Sequence, residues 1–224
     1  MEEQKLIGID FSTASKELVE VLLEESEDPS IFTEIAKANM NRHEILMLLL
    51  ENPDTPEEVK KLISDTLHVP VAVKAEVPKV RMTPEMRSLT LLQRIQRLSF
   101  GEKRLLALRG GKDVRSILIK DPNREIVLAV LDNPKITETE IEIITKSRSV
   151  PEEVIRKIAK KREWMKNYAI VLAIVSNPKT PAGNAISFLS EIKTKDLAIL
   201  AKSKNISEAV RAASRRLLQS RKGA

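Results

Sequence analysis

The sequence predicts an all-α protein, an α-solenoid of short antiparallel helices, on three observations. Its 224 residues are rich in Leu, Ile, Val, Ala, Glu, Lys and Arg but hold only 6 Gly, 4 Phe, 1 Trp and 1 Tyr, the composition of a helical chain. An apolar helix running into Asn-Pro recurs at Asn52-Pro53-Asp54-Thr55-Pro56, Asn133-Pro134-Lys135-Ile136-Thr137 and Asn177-Pro178-Lys179-Thr180-Pro181. A second joint alternates with it, Lys146-Ser147-Arg148-Ser149-Val150-Pro151-Glu152-Glu153-Val154 matching Lys202-Ser203-Lys204-Asn205-Ile206-Ser207-Glu208-Ala209-Val210. The Asn-Pro joints are separated by 81 and 44 residues. Short helices that cannot bury an apolar face alone, joined by recurring tight turns, are stabilised by stacking on their neighbours.

Taken in order, residues 14–25 place Leu18, Val21 and Leu22 at helical spacing, with Ser12 or Thr13 available as N-cap. Asp28-Pro29 ends one helix and starts the next, because proline is accommodated in a first turn and not in an interior. A helix over about 30–38, the apolar helix through Leu50, and a helix over 56–65 follow. Thr55 reads as the cap of the last, and Glu57 and Glu58 sit at the positive end of its dipole. Residues 1–66 therefore form a small helical unit. Residues 67–83, with Pro70 and Pro78 among valines and Pro84 directly after, read as a linker, extended or docked on its own domain, or as a linear motif for a partner. Residues 84–224 are helical again, over 84–98, 102–108, 113–119, 122–132, 137–146, 151–161, 163–175, 181–190, 195–201 and 207–220, each bounded by stop and start signals.

Charge divides along the same lines. Residues 1–66 carry 6 Lys and Arg against 16 Asp and Glu, and residues 67–224 carry 32 against 16, which together give the net +6. Such asymmetry concerns partners or contacts between parts of the chain. It suggests docking of the acidic unit on the basic domain of its own or a neighbouring chain.

The segment Leu50-Glu51-Asn52-Pro53-Asp54-Thr55-Pro56-Glu57-Glu58-Val59-Lys60-Lys61-Leu62-Ile63-Ser64-Asp65 resembles the Asn-Pro-x-Thr-Pro turn and following helix of leucine-rich repeat variant proteins, a bacterial branch of the HEAT-like helical repeats. Asp121-Pro122, Asn133-Pro134 and Asn177-Pro178-Lys179-Thr180-Pro181 are similar, and the resemblance spans about two thirds of the chain. Here extra helices separate the joints, where the family's repeat is shorter and more regular. The resemblance implies a right-handed helical array used for binding, with no shared catalytic residues.

Several chemistries lack their residues. The absence of cysteine removes disulfides, thiolate metal sites and a cysteine nucleophile. Only His43 and His68 could serve as histidine ligands or bases, and Gly110-Gly111-Lys112-Asp113 lacks the spacing and the hydroxyl residue of a P-loop. No cofactor or metal is expected. No apolar run reaches the roughly 20 residues of a membrane span and no secretory signal is visible, so the expected location is the cytoplasm.

Two basic stretches are the candidate anion- or partner-binding residues. Lys157, Lys160 and Lys161 lie at helical spacing on the face away from Val154, Ile155 and Ile158, and Arg162, Trp164, Lys166 and Tyr168 follow. Cations beside aromatic platforms suit single-stranded nucleic acid. The competing and favoured reading makes Trp164, Tyr168, Val171, Leu172 and Val175 a core stripe. In the C-terminal helix Ile206, Val210, Ala213 and Leu217 form a buried stripe, while Arg211, Arg215 and Lys222 line another face that is either solvated or anion-binding. The expected function is a non-enzymatic interaction module or scaffold binding a protein partner, with nucleic-acid binding as the alternative. An enzyme ranks third: some HEAT-like proteins are DNA glycosylases, but those need aromatic and acidic residues in a shared cleft.

Overall fold

The structure, a computed structural model, describes residues 11–25, 28–68 and 84–222. Every regular element among them is helical, comprising fifteen α-helices and two 3-10 turns. The helices are α1 (Lys16–Glu25), α2 (Ser30–Ala38), α3 (His43–Glu51), α4 (Glu57–Leu67), α5 (Pro84–Arg97), α6 (Phe100–Arg109), α7 (Lys112–Leu118) and α8 (Arg124–Val130). They continue with α9 (Glu138–Lys146), α10 (Glu152–Lys160), α11 (Arg162–Met165), α12 (Tyr168–Ser176), α13 (Ala182–Ser187), α14 (Thr194–Leu200) and α15 (Glu208–Lys222). The 3-10 turns are Phe11–Thr13 and Leu189–Glu191.

Local chemistry sets the boundaries. Ser99 and Glu102 close a reciprocal capping box on α6, as do Thr137 and Glu140 on α9, so two free N–H groups are satisfied at each start. Asn123 and Asn167 cap α8 and α12 by accepting from the N–H groups of Glu125 and Ala169. The cap at Asn167 also divides the helix expected over 163–175 into α11 and α12. Trp164 and Tyr168 consequently lie on different helices and share no single stripe. His68 closes α4 in the left-handed region, φ 54°. The proline-rich stretch beyond it, residues 69–83, lies outside the described residues.

The chain forms two compact units, Met1–Leu118 and Ile119–Ala224. The sequence reading places its division within 67–83, whereas compactness places it between Leu118 and Ile119. The physical reason is that α5, α6 and α7 all pack on α1. Leu91, Ile95, Leu106 and Val114 are buried in the same unit as Leu18, Leu22, Ile35 and Leu49. Polar contacts reinforce this. Arg94 pairs with Glu24 at 2.6 Å and Glu20 at 3.5 Å, and Arg109 pairs with Glu34 at 2.8 Å and Asp28 at 3.4 Å. Glu102 accepts from the Ser15 N–H at 3.2 Å as well as from Ser99. Partial burial pushes the Glu102 carboxyl up, but the hydrogen bonds from Ser15 and Ser99 outweigh it and hold the group below its ordinary value. Gly111 is needed for close approach: a Cβ there would stand 2.0 Å from the Glu25 carbonyl oxygen.

The second unit holds two hydrophobic cores built to one plan. Val127, Leu131, Ile141, Ile144, Val150 and Val154 of the first core have as counterparts Val171, Val175, Leu197, Leu200, Ile206 and Val210 of the second. The first two pairs are 44 residues apart and the other four 56, the difference being extra chain around Leu189–Glu191. Over residues 141–150 and 197–206 the succession of buried, half-buried and exposed positions is identical.

Candidate functional site

The joints account for the most conspicuous polar residues. At Asn52 and Asn177 the side-chain oxygen accepts from the backbone N–H two residues on, at 2.8 Å from Asp54 and 2.9 Å from Lys179. Three residues on, a buried threonine donates its hydroxyl back to the helix just ended, Thr55 to the Leu49 carbonyl and Thr180 to the Ile174 carbonyl, both at 2.6 Å. The sequence reads Thr55 as the cap of α4, but its hydroxyl is turned back to the Leu49 carbonyl and α4 has no side-chain cap. A polar hydroxyl at this buried position is satisfied only by the preceding carbonyl. The Asn133 joint keeps the asparagine bond, with Lys135 N–H at 2.9 Å, but replaces threonine by Ile136, which packs against the first core. Ser147 and Ser203 play the asparagine's part in the other joints, accepting from the Ser149 and Asn205 N–H groups at 3.4 and 3.3 Å, while Val150 and Ile206 fill the buried position.

The eight candidate basic residues all lie in the second unit, in two groups. Around α10 and α11, Lys157 donates to the Leu128 carbonyl at 3.1 Å and pairs with Asp132 at 2.5 Å. Lys161 donates to the Leu131 carbonyl at 3.3 Å and stands 4.3 Å over the ring of Trp164, which is buried in the first core. Both lysines thus close the C-terminal end of α8, where carbonyls lack helical partners and the dipole favours a cation. Lys160, Arg162 and Lys166 are exposed, with no side-chain partner among the described residues. On α15, Arg211 donates to the Ser203 carbonyl at 2.9 Å and to Glu208, and Arg215 donates to the Ala201 carbonyl at 3.1 Å. Arg221 donates to the carbonyls of Ile192 and Ser190, each at 2.6 Å. Lys222 is exposed. No hydrogen bond joins the α10–α11 group to the α15 group among the described residues.

The same closure appears with neutral chemistry. The Asn177 amide donates to the Thr145 carbonyl at 2.5 Å and the Ser147 carbonyl at 2.9 Å. Those carbonyls are the counterparts of Ala201 and Ser203, which Arg215 and Arg211 serve. Tyr168 is half-buried against the second core, its hydroxyl bonded to Asp196 and accepting from the Lys193 N–H at 3.1 Å. Burial, the Asp196 bond and the Asp196 charge raise the phenol above its ordinary value, against a smaller opposing effect of the Lys193 N–H. Lys193 stands 4.6 Å over its ring.

Reasoning from charge density missed a different surface. Ile143 and Ile199 are each 61 % exposed and each precede a serine joint by four residues. Lys146 and Arg148 flank the first joint, Lys202 and Lys204 the second, and all four are exposed. The signal was present in the paired joints, whose match extends upstream through Ile143 and Ile199.

Among the described residues no group of three or more His, Asp or Glu is placed to hold a metal ion, and no helix is long and apolar enough to cross a membrane. Protein-family models, curated proteins and solved structures contain no match to this chain.

Proposed function

We propose that this chain is a non-catalytic interaction module that binds a protein partner, its helices stacked as a right-handed α-solenoid of the HEAT-like or leucine-rich repeat variant kind. The proposed location is the cytoplasm. The observation that carries the reading is the pair of matched cores in the second unit with their identical burial sequence over residues 141–150 and 197–206. A unit repeated in this manner presents the same side chains at regular intervals, which suits recognition of extended partners. The residues that stand out chemically support it too. Asn52 shapes its turn, and Asn177, Thr55 and Thr180, with Lys157, Lys161, Arg211 and Arg215, are engaged in closing helix ends, a structural use. The ion pairs of Arg94 and Arg109 with acidic residues of the N-terminal helices likewise support docking of acidic on basic helices within one chain.

Nucleic-acid binding is the second reading. It is favoured by the second unit's 21 Lys and Arg against 12 Asp and Glu, and by the free side chains of Lys160, Arg162 and Lys166. One experiment separates the two. The full chain is titrated with single- and double-stranded oligonucleotides at rising salt. A protein-binding module should show only weak association that vanishes near physiological salt. Tight association that survives there, and that drops on reversing Lys160, Arg162 and Lys166 to Glu, would transfer the assignment to nucleic acid.

A further inference from the structure

Within the second unit the two serine joints leave the same side chains outside. Ile143 and Ile199 occupy one register of α9 and α14, while Ile141, Ile144, Leu197 and Leu200 on the other faces fill the two cores. A single exposed isoleucine needs no explanation, but the same large apolar residue exposed at 61 % in both copies marks a surface with a repeated use. Three residues after each isoleucine comes a lysine, Lys146 at the end of α9 or Lys202 in the turn that follows α14, and Arg148 or Lys204 follows within the joint. Lys146 pairs with Glu142, whereas Arg148, Lys202 and Lys204 have no side-chain partner among the described residues. Each joint therefore offers an apolar contact beside unneutralised positive charge.

We propose that these two joints form one docking edge for an acidic segment of a protein partner, carrying two apolar side chains, one against Ile143 and one against Ile199, with carboxylates on Arg148, Lys202 and Lys204. The inference rests on the interaction-module reading and names its surface and the chemistry of its partner. Charge complementarity selects the occupant, since the unit as a whole carries net +9 and attracts acidic chains from a distance. The isoleucines distinguish a peptide from a nucleic acid. Single-strand binders place bases on aromatic platforms, but Trp164 is in the core and Tyr168 is half-buried, so the edge offers aliphatic contacts only.

The test selects peptides from a random library displayed on phage, using the folded full chain as bait, and measures the affinity of the synthetic winners by fluorescence anisotropy. The expected winners combine Asp and Glu with two separated apolar residues. Ile143→Asp and Ile199→Asp should each weaken binding by about tenfold or more. Ile143→Ala, Ile199→Ala and Lys202→Glu with Lys204→Glu should weaken it less, and raised salt should weaken it further. Both isoleucines are on the surface, so circular dichroism and melting should match the parent. Acidic winners indifferent to both isoleucines would overturn the edge while leaving the interaction-module reading intact. Winners without acidic residues would overturn the partner chemistry. Failure of any peptide to enrich, together with salt-resistant oligonucleotide binding, would overturn both.

Discussion

The helix ends at Thr145–Ser147 and at Ala201–Ser203 match in sequence and burial, yet they are closed by different chemistry. The first pair of carbonyls receives the Asn177 amide, a neutral group belonging to the next joint along the chain. The second receives Arg215 and Arg211 from α15, the helix that directly follows its own joint. The residues standing 56 positions before these arginines are Ile155, buried in the first core, and Ala159, packed against it. Where another joint packs on the helix end, the corresponding positions are apolar and the amide does the closing. Where α15 must close it, the same positions become arginines whose stems cover the helix end and whose guanidinium groups reach the carbonyls. Part of the positive charge of α15 is accordingly a consequence of folding.

The largest effect is expected at Asn177. Asn177→Ala removes the donor from two carbonyls in a site where Asn177 is 5 % and Thr145 0 % exposed, and also removes the turn bond to Lys179. A loss of roughly 2–4 kcal/mol is expected, read as a lower urea midpoint. Asn177→Asp keeps the turn acceptor but sets a carboxylate against the two carbonyls, and should lose at least as much. If Asn177→Ala proved no worse than Arg211→Ala, the contrast between a sealed inner joint and a more exposed outer one would collapse.

The threonines sharpen the comparison by extending it to the first unit. Thr55→Val and Thr180→Val each delete a 2.6 Å bond to a helix-end carbonyl while conserving shape, and each should cost about 1–2 kcal/mol. The two values should agree, because the two bonds are the same device in different units. A large disagreement would mean that the Asn52 and Asn177 joints share a sequence without sharing a structural role.

The helices and joints were legible in the sequence because their causes are local. Proline, asparagine and the Ser99 and Thr137 capping boxes act within a few residues of themselves, and 3.6-residue periodicity marks each buried face. What was not legible depends on chain brought from elsewhere. The direction of the Thr55 hydroxyl depends on the burial of its joint. The grouping of residues 84–118 with the N-terminal helices depends on Arg94 and Arg109 finding acidic partners 70 or more positions away, and on the space at Gly111. Lys157, Lys161, Arg211 and Arg215 stood out for their charge, but a carbonyl at a helix end leaves no mark in composition. Ile143 and Ile199 failed to stand out for the converse reason, since an exposed isoleucine reads as core until its neighbours in space are known.

Arg211 and Arg215 should respond more mildly than Asn177. Their side chains are 20 % and 55 % exposed, so the carbonyls they leave behind gain some access to water. Arg211→Ala should cost about 1 kcal/mol and Arg215→Ala less, measured by urea unfolding. Substituting both at once should exceed the sum of the single effects if they act as one closure, as a double-mutant cycle would show.

The smallest effect is a difference in acid sensitivity. The hydrogen bond from the Arg211 guanidinium draws the Glu208 carboxyl below its ordinary value of 4.5, desolvation opposes this, and the charges of Arg211 and Arg215 add to it. A carboxyl lowered in the folded state contributes stability that is complete above 4.5 and disappears as pH falls through its folded value. Protonated Glu208 no longer holds Arg211 against the joint, so backbone N–H groups at the start of α15 should exchange faster, relative to their intrinsic rates, as pH drops below that range. The closure at Thr145–Ser147 contains no carboxylate, and N–H groups there should show no such change. Glu208→Gln should remove the pH dependence at α15 and leave it insensitive, like its counterpart. Acid sensitivity that persisted in Glu208→Gln, or that appeared equally at both joints, would show that the arginine closure does not depend on Glu208 and that the two helix ends differ in less than their chemistry suggests.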